Sequence, residues 1–142
     1  NDGTLWVTPA DRVGVGMLAL PRPRRSYRAR VTNAAELTAE GLWEEISRRL
    51  LERNGLTPDD LNLFVSHQAN RRIIQSASEK LGLPPDKVVI NIERFGNTTA
   101  ATIPLALNDA VCSRRLKKGD LVLLASVGAG FTVGAVLVRW TV

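Results

Sequence analysis

Leu61-Asn62-Leu63-Phe64-Val65-Ser66-His67-Gln68-Ala69-Asn70-Arg71-Arg72-Ile73-Ile74 is the stretch that sets the fold class. The apolar run at residues 61–66 reads as a strand, and Ile73, Ile74, Ala77 and Leu81 recur at three- and four-residue spacing, which predicts a helix over 70–81. Gly82 stops that helix, and Pro84-Pro85 prevents its continuation. His67, the only histidine in the chain, therefore stands where a strand hands over to a helix. Thirty residues on, Asn97 follows a glycine in Phe95-Gly96-Asn97-Thr98-Thr99, at the expected start of another helix. An imidazole and a carboxamide at two element ends could converge on one oxygen and donate hydrogen bonds to it. Such a pair stabilises an enolate or a tetrahedral oxyanion without a metal.

Outward from this segment the pattern alternates between helix and strand. Leu42, Trp43, Ile46, Leu50 and Leu51 form an apolar stripe, predicting a helix over 34–54 that Asn54-Gly55 ends. Thr57-Pro58-Asp59-Asp60 reads as a capped helical turn with proline at its first position. Val88-Val89-Ile90 reads as a short strand, and a third helix is expected over 98–116. That helix is apolar around its early turns (Ala100, Ala101, Ile103, Leu105, Ala106, Leu107), so it should be buried on all sides. The runs at 121–125 and 133–138 are continuously apolar, predicting strands covered on both faces, with Gly128-Ala129-Gly130 turning between them. Near the N-terminus, residues 5–7 and 15–20 look like strands, and Pro21-Arg22-Pro23-Arg24-Arg25 must be loop. The sum is an α/β domain with a mixed sheet and helices on both faces. Three helices are too few to cover that sheet and surround the third helix, so a further protein layer is expected.

The chain has 142 residues, enough for one domain with a real core. No apolar run approaches the roughly eighteen residues of a membrane span, and no basic-then-apolar leader opens the chain. The first residues, Asn1-Asp2-Gly3, lack a methionine, as a fragment or processed chain would. A single cysteine, Cys112, forbids an intrachain disulfide and is compatible with a reducing cytoplasm. Net charge is +5, concentrated at Arg22, Arg24, Arg25, Arg28 and Arg30 and at Arg114, Arg115, Lys117 and Lys118. Without interleaved aromatics, a zinc motif or a nucleic-acid module, these patches argue against nucleic acid. An acidic carrier protein, a phosphorylated cofactor or plain solvation explains them equally.

Four motifs, in order and in register, resemble 3-oxoacyl-acyl-carrier-protein synthase III, a family of condensing enzymes. His67-Gln68-Ala69-Asn70-Arg71-Arg72-Ile73-Ile74 is similar to its histidine motif, and Gly96-Asn97-Thr98-Thr99-Ala100-Ala101 with Ile103-Pro104-Leu105-Ala106-Leu107 to its asparagine motif. Lys118-Gly119-Asp120-Leu121-Val122-Leu123-Leu124 and Gly128-Ala129-Gly130-Phe131-Thr132 through Arg139-Trp140 resemble its C-terminal end. The likeness is strong over 57–142 and weak over 1–56. It implies a thiolase-like fold, with residues 1–142 as the C-terminal half-domain and the N-terminal half, which bears the reactive cysteine, absent.

In such an enzyme a cysteine takes up an acyl group, and a histidine and an asparagine bind the malonyl thioester carbonyl during decarboxylation. The resemblance makes His67 and Asn97 those two groups and links Arg72 with docking of acyl carrier protein. Gly128 and Gly130 would let the backbone approach the reacting cysteine. Val127 and Val133 stand where housekeeping members usually carry an aromatic residue and tryptophan, which points to an altered acyl pocket and a specialised relative. The resemblance further implies acyl-CoA and malonyl-carrier-protein substrates, no cofactor or metal, and a homodimer. Acyl transfer to an alcohol or amine on the same fold, and a non-catalytic carrier-binding half-domain, are the rival readings. Gln68 and Asn70 are expected to orient the loop and cap the helix. Cys112, late in the third helix, is expected to be a structural thiol.

Overall fold

The computed structural model describes residues 39–128 and 132–142. The strands expected at 5–7 and 15–20, the loop at 21–25, the arginine cluster at 22–30 and Gly130 lie outside the described residues. The elements run α1 (Ala39–Arg53), β1 (Leu63–Ser66), α2 (Arg71–Lys80), α3 (Ile92–Phe95), α4 (Thr102–Cys112), β2 (Leu121–Gly128) and β3 (Thr132–Arg139). Three 3-10 turns, Pro58–Asp60, Pro85–Lys87 and Thr99–Ala101, punctuate them. The sheet order is β1-β2-β3, with β1 and β2 parallel and β2 and β3 antiparallel. The expected mixed sheet is present.

Local chemistry accounts for where these elements start and stop. At the end of α1 the Leu56 N–H donates to Leu51 O and the Gly55 N–H to Glu52 O, with Gly55 at φ 65°. That is the left-handed helix stop glycine supplies without a Cβ penalty. Before β1, the Thr57 backbone N–H and hydroxyl both donate to Asp60 Oδ2, at 2.7 and 2.8 Å. These bonds hold the Asp60 carboxyl below its ordinary value, the backbone bond most strongly. Asn70 caps α2, its Oδ1 accepting from the Arg72 N–H at 2.9 Å.

The sheet divides the core in two. Trp43, Ile46, Leu50 and Leu51 of α1, with Ile74, Ala77 and Leu81 from α2 and its end, pack on Phe64, Leu121, Leu123, Ala125, Val133, Ala135 and Leu137. On the other face Ala106 and Ala110 of α4 meet Leu63, Val65, Val89 and Val122. Phe64 and Trp43 are fully buried. Each such side chain contributes about 1.5–3 kcal/mol by leaving water.

Three expectations need correction. The strand expected at 88–90 is a single parallel bridge, Phe64 with Val88, because the 3-10 turn Pro85–Lys87 delivers the chain to the sheet edge for one residue only. The helix expected over 98–116 is a 3-10 turn followed by α4, preceded by the one-turn α3 that was not anticipated. Thr99 at φ 52° interrupts the helical path, so α4 begins only at Thr102, and it ends at Cys112 rather than 116. Nor is α4 buried all round. Thr102, Ala106 and Ala110 are buried, while Pro104 and Val111 are exposed, as are Ala100 and Ala101 in the turn before it.

The same gap shows in β3, where Val133, Ala135 and Leu137 are buried but Gly134, Val136 and Val138 are half-buried. α4 covers the β1 and β2 part of that face and leaves β3 open. Among the described residues, therefore, the sheet is fully covered on one face only. No helix there is long and apolar enough to cross a membrane.

Candidate active site

His67 leaves the carboxyl end of β1, and its backbone N–H donates to Ala125 O of β2 at 2.8 Å. That bond continues the β1–β2 register by one residue and fixes where the imidazole starts. Gln68, 1% exposed, anchors the next position. Its Nε2 donates to Ser66 O at 3.0 Å and Val89 O at 3.1 Å, and its Oε1 accepts from the Asn91 N–H at 3.0 Å. The Asn91 side chain in turn donates to Asp109 Oδ2 at 2.8 Å, which also accepts from Arg94 at 3.1 Å. A continuous polar network thus ties the histidine loop to the segment that leads into Asn97. The expected orienting roles of Gln68 and Asn70 match this geometry.

The imidazole and Asn97 meet through one turn. His67 Nδ1 lies 2.7 Å from Thr102 Oγ1, which lies 2.8 Å from Thr99 O. The Thr99 N–H donates to Asn97 Oδ1 at 3.0 Å. Both side chains are therefore fastened to residues 99–102. With its carbonyl oxygen engaged, Asn97 presents its amide N–H groups as donors. Asn97 is exposed and His67 half-buried, so both remain accessible. Burial holds the His67 pKa below its ordinary value, favouring neutral imidazole.

This turn also concentrates strain. Thr99 is β-branched at positive φ, and the Thr98 hydroxyl is buried without a partner among the described residues. Thr102 was not singled out in the sequence, although it is the one hydroxyl in the apolar run 100–107. That contrast was the available signal.

The remaining candidates lie nearby or apart. Arg72 is exposed on the first turn of α2 and makes no ion pair with the described residues, whereas Arg71 pairs with Glu93. Val127 and Val133 face each other across β2 and β3, with Val127 half-buried against the core and Val133 buried within it. Gly128, exposed, pairs with Thr132 where the hairpin opens. Cys112 is exposed at the far end of α4, ten residues and so ~15 Å of helix from Thr102. It cannot serve as nucleophile beside His67. In the second basic cluster, Arg115 is spent on the carbonyls of Asp86 and Val88.

The family model described as 3-oxoacyl-[acyl-carrier-protein] synthase III C terminal matches residues 51–140. The chain belongs to this synthase III family. It is 60% identical over 96 residues to the beta-ketoacyl-[acyl-carrier-protein] synthase III of Solibacter usitatus, covering 68% of this chain and 29% of that protein. To the Brucella canis protein of the same name it is 53% identical over 102 residues, covering 72% and 32%. Among solved structures, the Pseudomonas aeruginosa 3-oxoacyl-(acyl carrier protein) synthase III superposes with a TM-score of 0.74 at 32% identity, covering 96% of this chain and 47% of that one. The Aquifex aeolicus synthase III gives 0.68 at 47% identity, covering 69% and 32%. The fold is that of the C-terminal half of a thiolase-like synthase III. The chain spans about a third of the length of the curated relatives it matches.

Proposed function

We propose that this chain is the C-terminal catalytic half of a synthase III-like enzyme performing decarboxylative Claisen condensation in fatty-acid or polyketide biosynthesis. The observation that carries the reading is the pair His67 and Asn97, fastened to the single turn 99–102 with the Asn97 amide left free to donate. A cysteine on the complementary half takes an acyl group from acyl-CoA, releasing the coenzyme thiol. Malonyl-carrier-protein then binds with its thioester oxygen between His67 and Asn97. As carbon dioxide leaves, the electron pair of the broken carbon–carbon bond moves into the thioester as an enolate. The enolate carbon attacks the acyl-cysteine carbonyl, and the cysteine thiolate departs.

Two donors aimed at the enolate oxygen each stabilise the charge developing there by about 3 kcal/mol in a water-excluded site. Neutral His67 donates without adding a charge, and Asn97 donates at every working pH. Arg72, exposed and unpaired among the described residues, suits an acidic carrier protein. Gly128 and Gly130 allow close approach of the reacting cysteine, and Val127 leaves space that sets acyl preference. The reaction needs no cofactor or metal from these residues. The working assembly is a cytoplasmic homodimer of complete subunits.

Product mass spectrometry on the complete enzyme tests the reading. With malonyl thioester present, a 3-oxoacyl thioester should form with loss of carbon dioxide. An acyl ester or amide forming without malonyl thioester would contradict it.

A further inference from the structure

The turn 99–102 that fastens His67 and Asn97 runs straight into α4, so a slide of that helix along its axis would carry both fastenings with it. Below Thr102 the buried side chains of α4 are Ala106 and Ala110, single methyl groups against the sheet. Apolar contact is non-directional and resists such a slide only weakly. Asp109 adds a directional bond. It stands two turns beyond Thr102 on the same side of the helix, ~10 Å along the axis. Its Oδ2 accepts from Asn91 Nδ2 at 2.8 Å and from Arg94 Nη1 at 3.1 Å. The first bond is the one that counts. Asn91 is 5% exposed, whereas the Arg94 side chain is 67% exposed and its ion pair is screened by solvent.

Asn91 is diverted from its ordinary local role to make this bond. It is the N-cap of α3, where an asparagine side chain usually accepts from the first N–H groups of the helix, yet it makes no such bond. Its own backbone N–H goes to Gln68 Oε1 at 3.0 Å, and Gln68 directly follows His67. A closed circuit results: from the His67 ring to Thr102, along α4 to Asp109, across to Asn91, to Gln68 and back to His67. We infer that Asp109 is a positioning residue for decarboxylation: through Asn91 it fixes α4 along its axis, and so holds His67 and Asn97 in register with each other. The inference rests on the reading of those two side chains as oxyanion donors. Asparagine and aspartate are both short, so a bond between them has less slack than one between long side chains.

A swap of the two partners in the complete enzyme tests the bond itself. Asp109→Leu removes the acceptor, and Asn91→Asp sets two carboxylates against each other. Each should lower kcat for malonyl decarboxylation by about tenfold to a hundredfold with KM held, as a small misplacement of the donors does. Each should also shift the imidazole signal of His67 in ¹⁵N-histidine spectra, assigned by its loss in His67→Gln. Asn91→Asp combined with Asp109→Asn reverses donor and acceptor, and should return kcat to within about threefold of wild type and the signal to its place. Arg115→Met cuts bonds to Asp86 O and Val88 O beyond the end of α4 and outside the circuit, and should leave both readouts near wild type. An unmoved imidazole signal in both single variants, a double variant no better than the singles, or an equal loss in Arg115→Met would each overturn the inference. The spectra need no turnover, so they decide the role of Asp109 even if product analysis overturns the condensation reading.

Discussion

On the proposed reading Asn97 carries two duties with two ends of one amide, and that separates them experimentally. Its Oδ1 holds the Thr99 N–H, while its Nδ2 is the proposed oxyanion donor. Asn97→Asp keeps the acceptor but replaces the donor with a negative charge. Thermal stability should stay within about 0.5 kcal/mol, the range for surface changes that keep their bonds, while decarboxylation in the complete enzyme falls at least about a hundredfold. Parallel melting curves and rate assays check the pair of outcomes. His67 gives a pH signature. Its folded pKa is depressed by burial, so the unfolded chain binds the proton more readily. The associated stability is present above the unfolded value, near 6.5, and is lost as pH falls from there toward the folded pKa. His67→Gln should remove that component, seen as a flatter melting temperature as pH falls below about 6.5. Both residues were legible in the sequence because each stands at an element end in an unusual motif. Thr102 was not, since a hydroxyl near a helix start reads first as a local cap, and its partner is 35 residues away.

At the level of elements, the histidine loop is held by bonds that substitution can remove singly. Asn70→Ala removes the α2 cap and should cost about 1 kcal/mol in urea unfolding. Gln68→Leu leaves Ser66 O, Val89 O and the Asn91 N–H without their buried partner. It should cost more, about 2–4 kcal/mol, and displace His67. A smaller loss for Gln68→Leu than for Asn70→Ala would contradict this account of the loop. Periodicity identified α1 and α2, whose apolar stripes run over whole turns, and unbroken apolar runs identified the two long strands. It failed between residues 88 and 101, where single-residue geometry decides the path. Gly96 at φ 67° and Thr99 at φ 52° bend the chain there, and neither leaves a periodic mark. The expected strand at 88–90 shrank to a bridge because the turn Pro85–Lys87 brings the chain to the sheet edge for one residue only.

Across the whole molecule, the unevenly covered sheet is the feature that the sequence reading anticipated. The outer side of α4 leaves Pro104 and Val111 exposed, the turn before it leaves Ala100 and Ala101 exposed, and Phe95 is 36% exposed. An apolar helix face of this kind wants a partner layer. On the proposed reading that layer is the complementary half. Val111→Lys should then reduce self-association of this chain in light scattering and weaken its assembly with the cysteine-bearing half. What remained illegible at this scale was which face would lie open. That depends on α4 sitting over β1 and β2 rather than β3, a tertiary choice with no local signal. The central claim is that His67 and Asn97 together hold the oxygen on which charge develops. Release of labelled carbon dioxide from a malonyl thioester by the complete enzyme carrying His67→Ala tests it most directly. The account predicts a fall of about a hundred- to a thousandfold with the fold intact; release at the wild-type rate would contradict it.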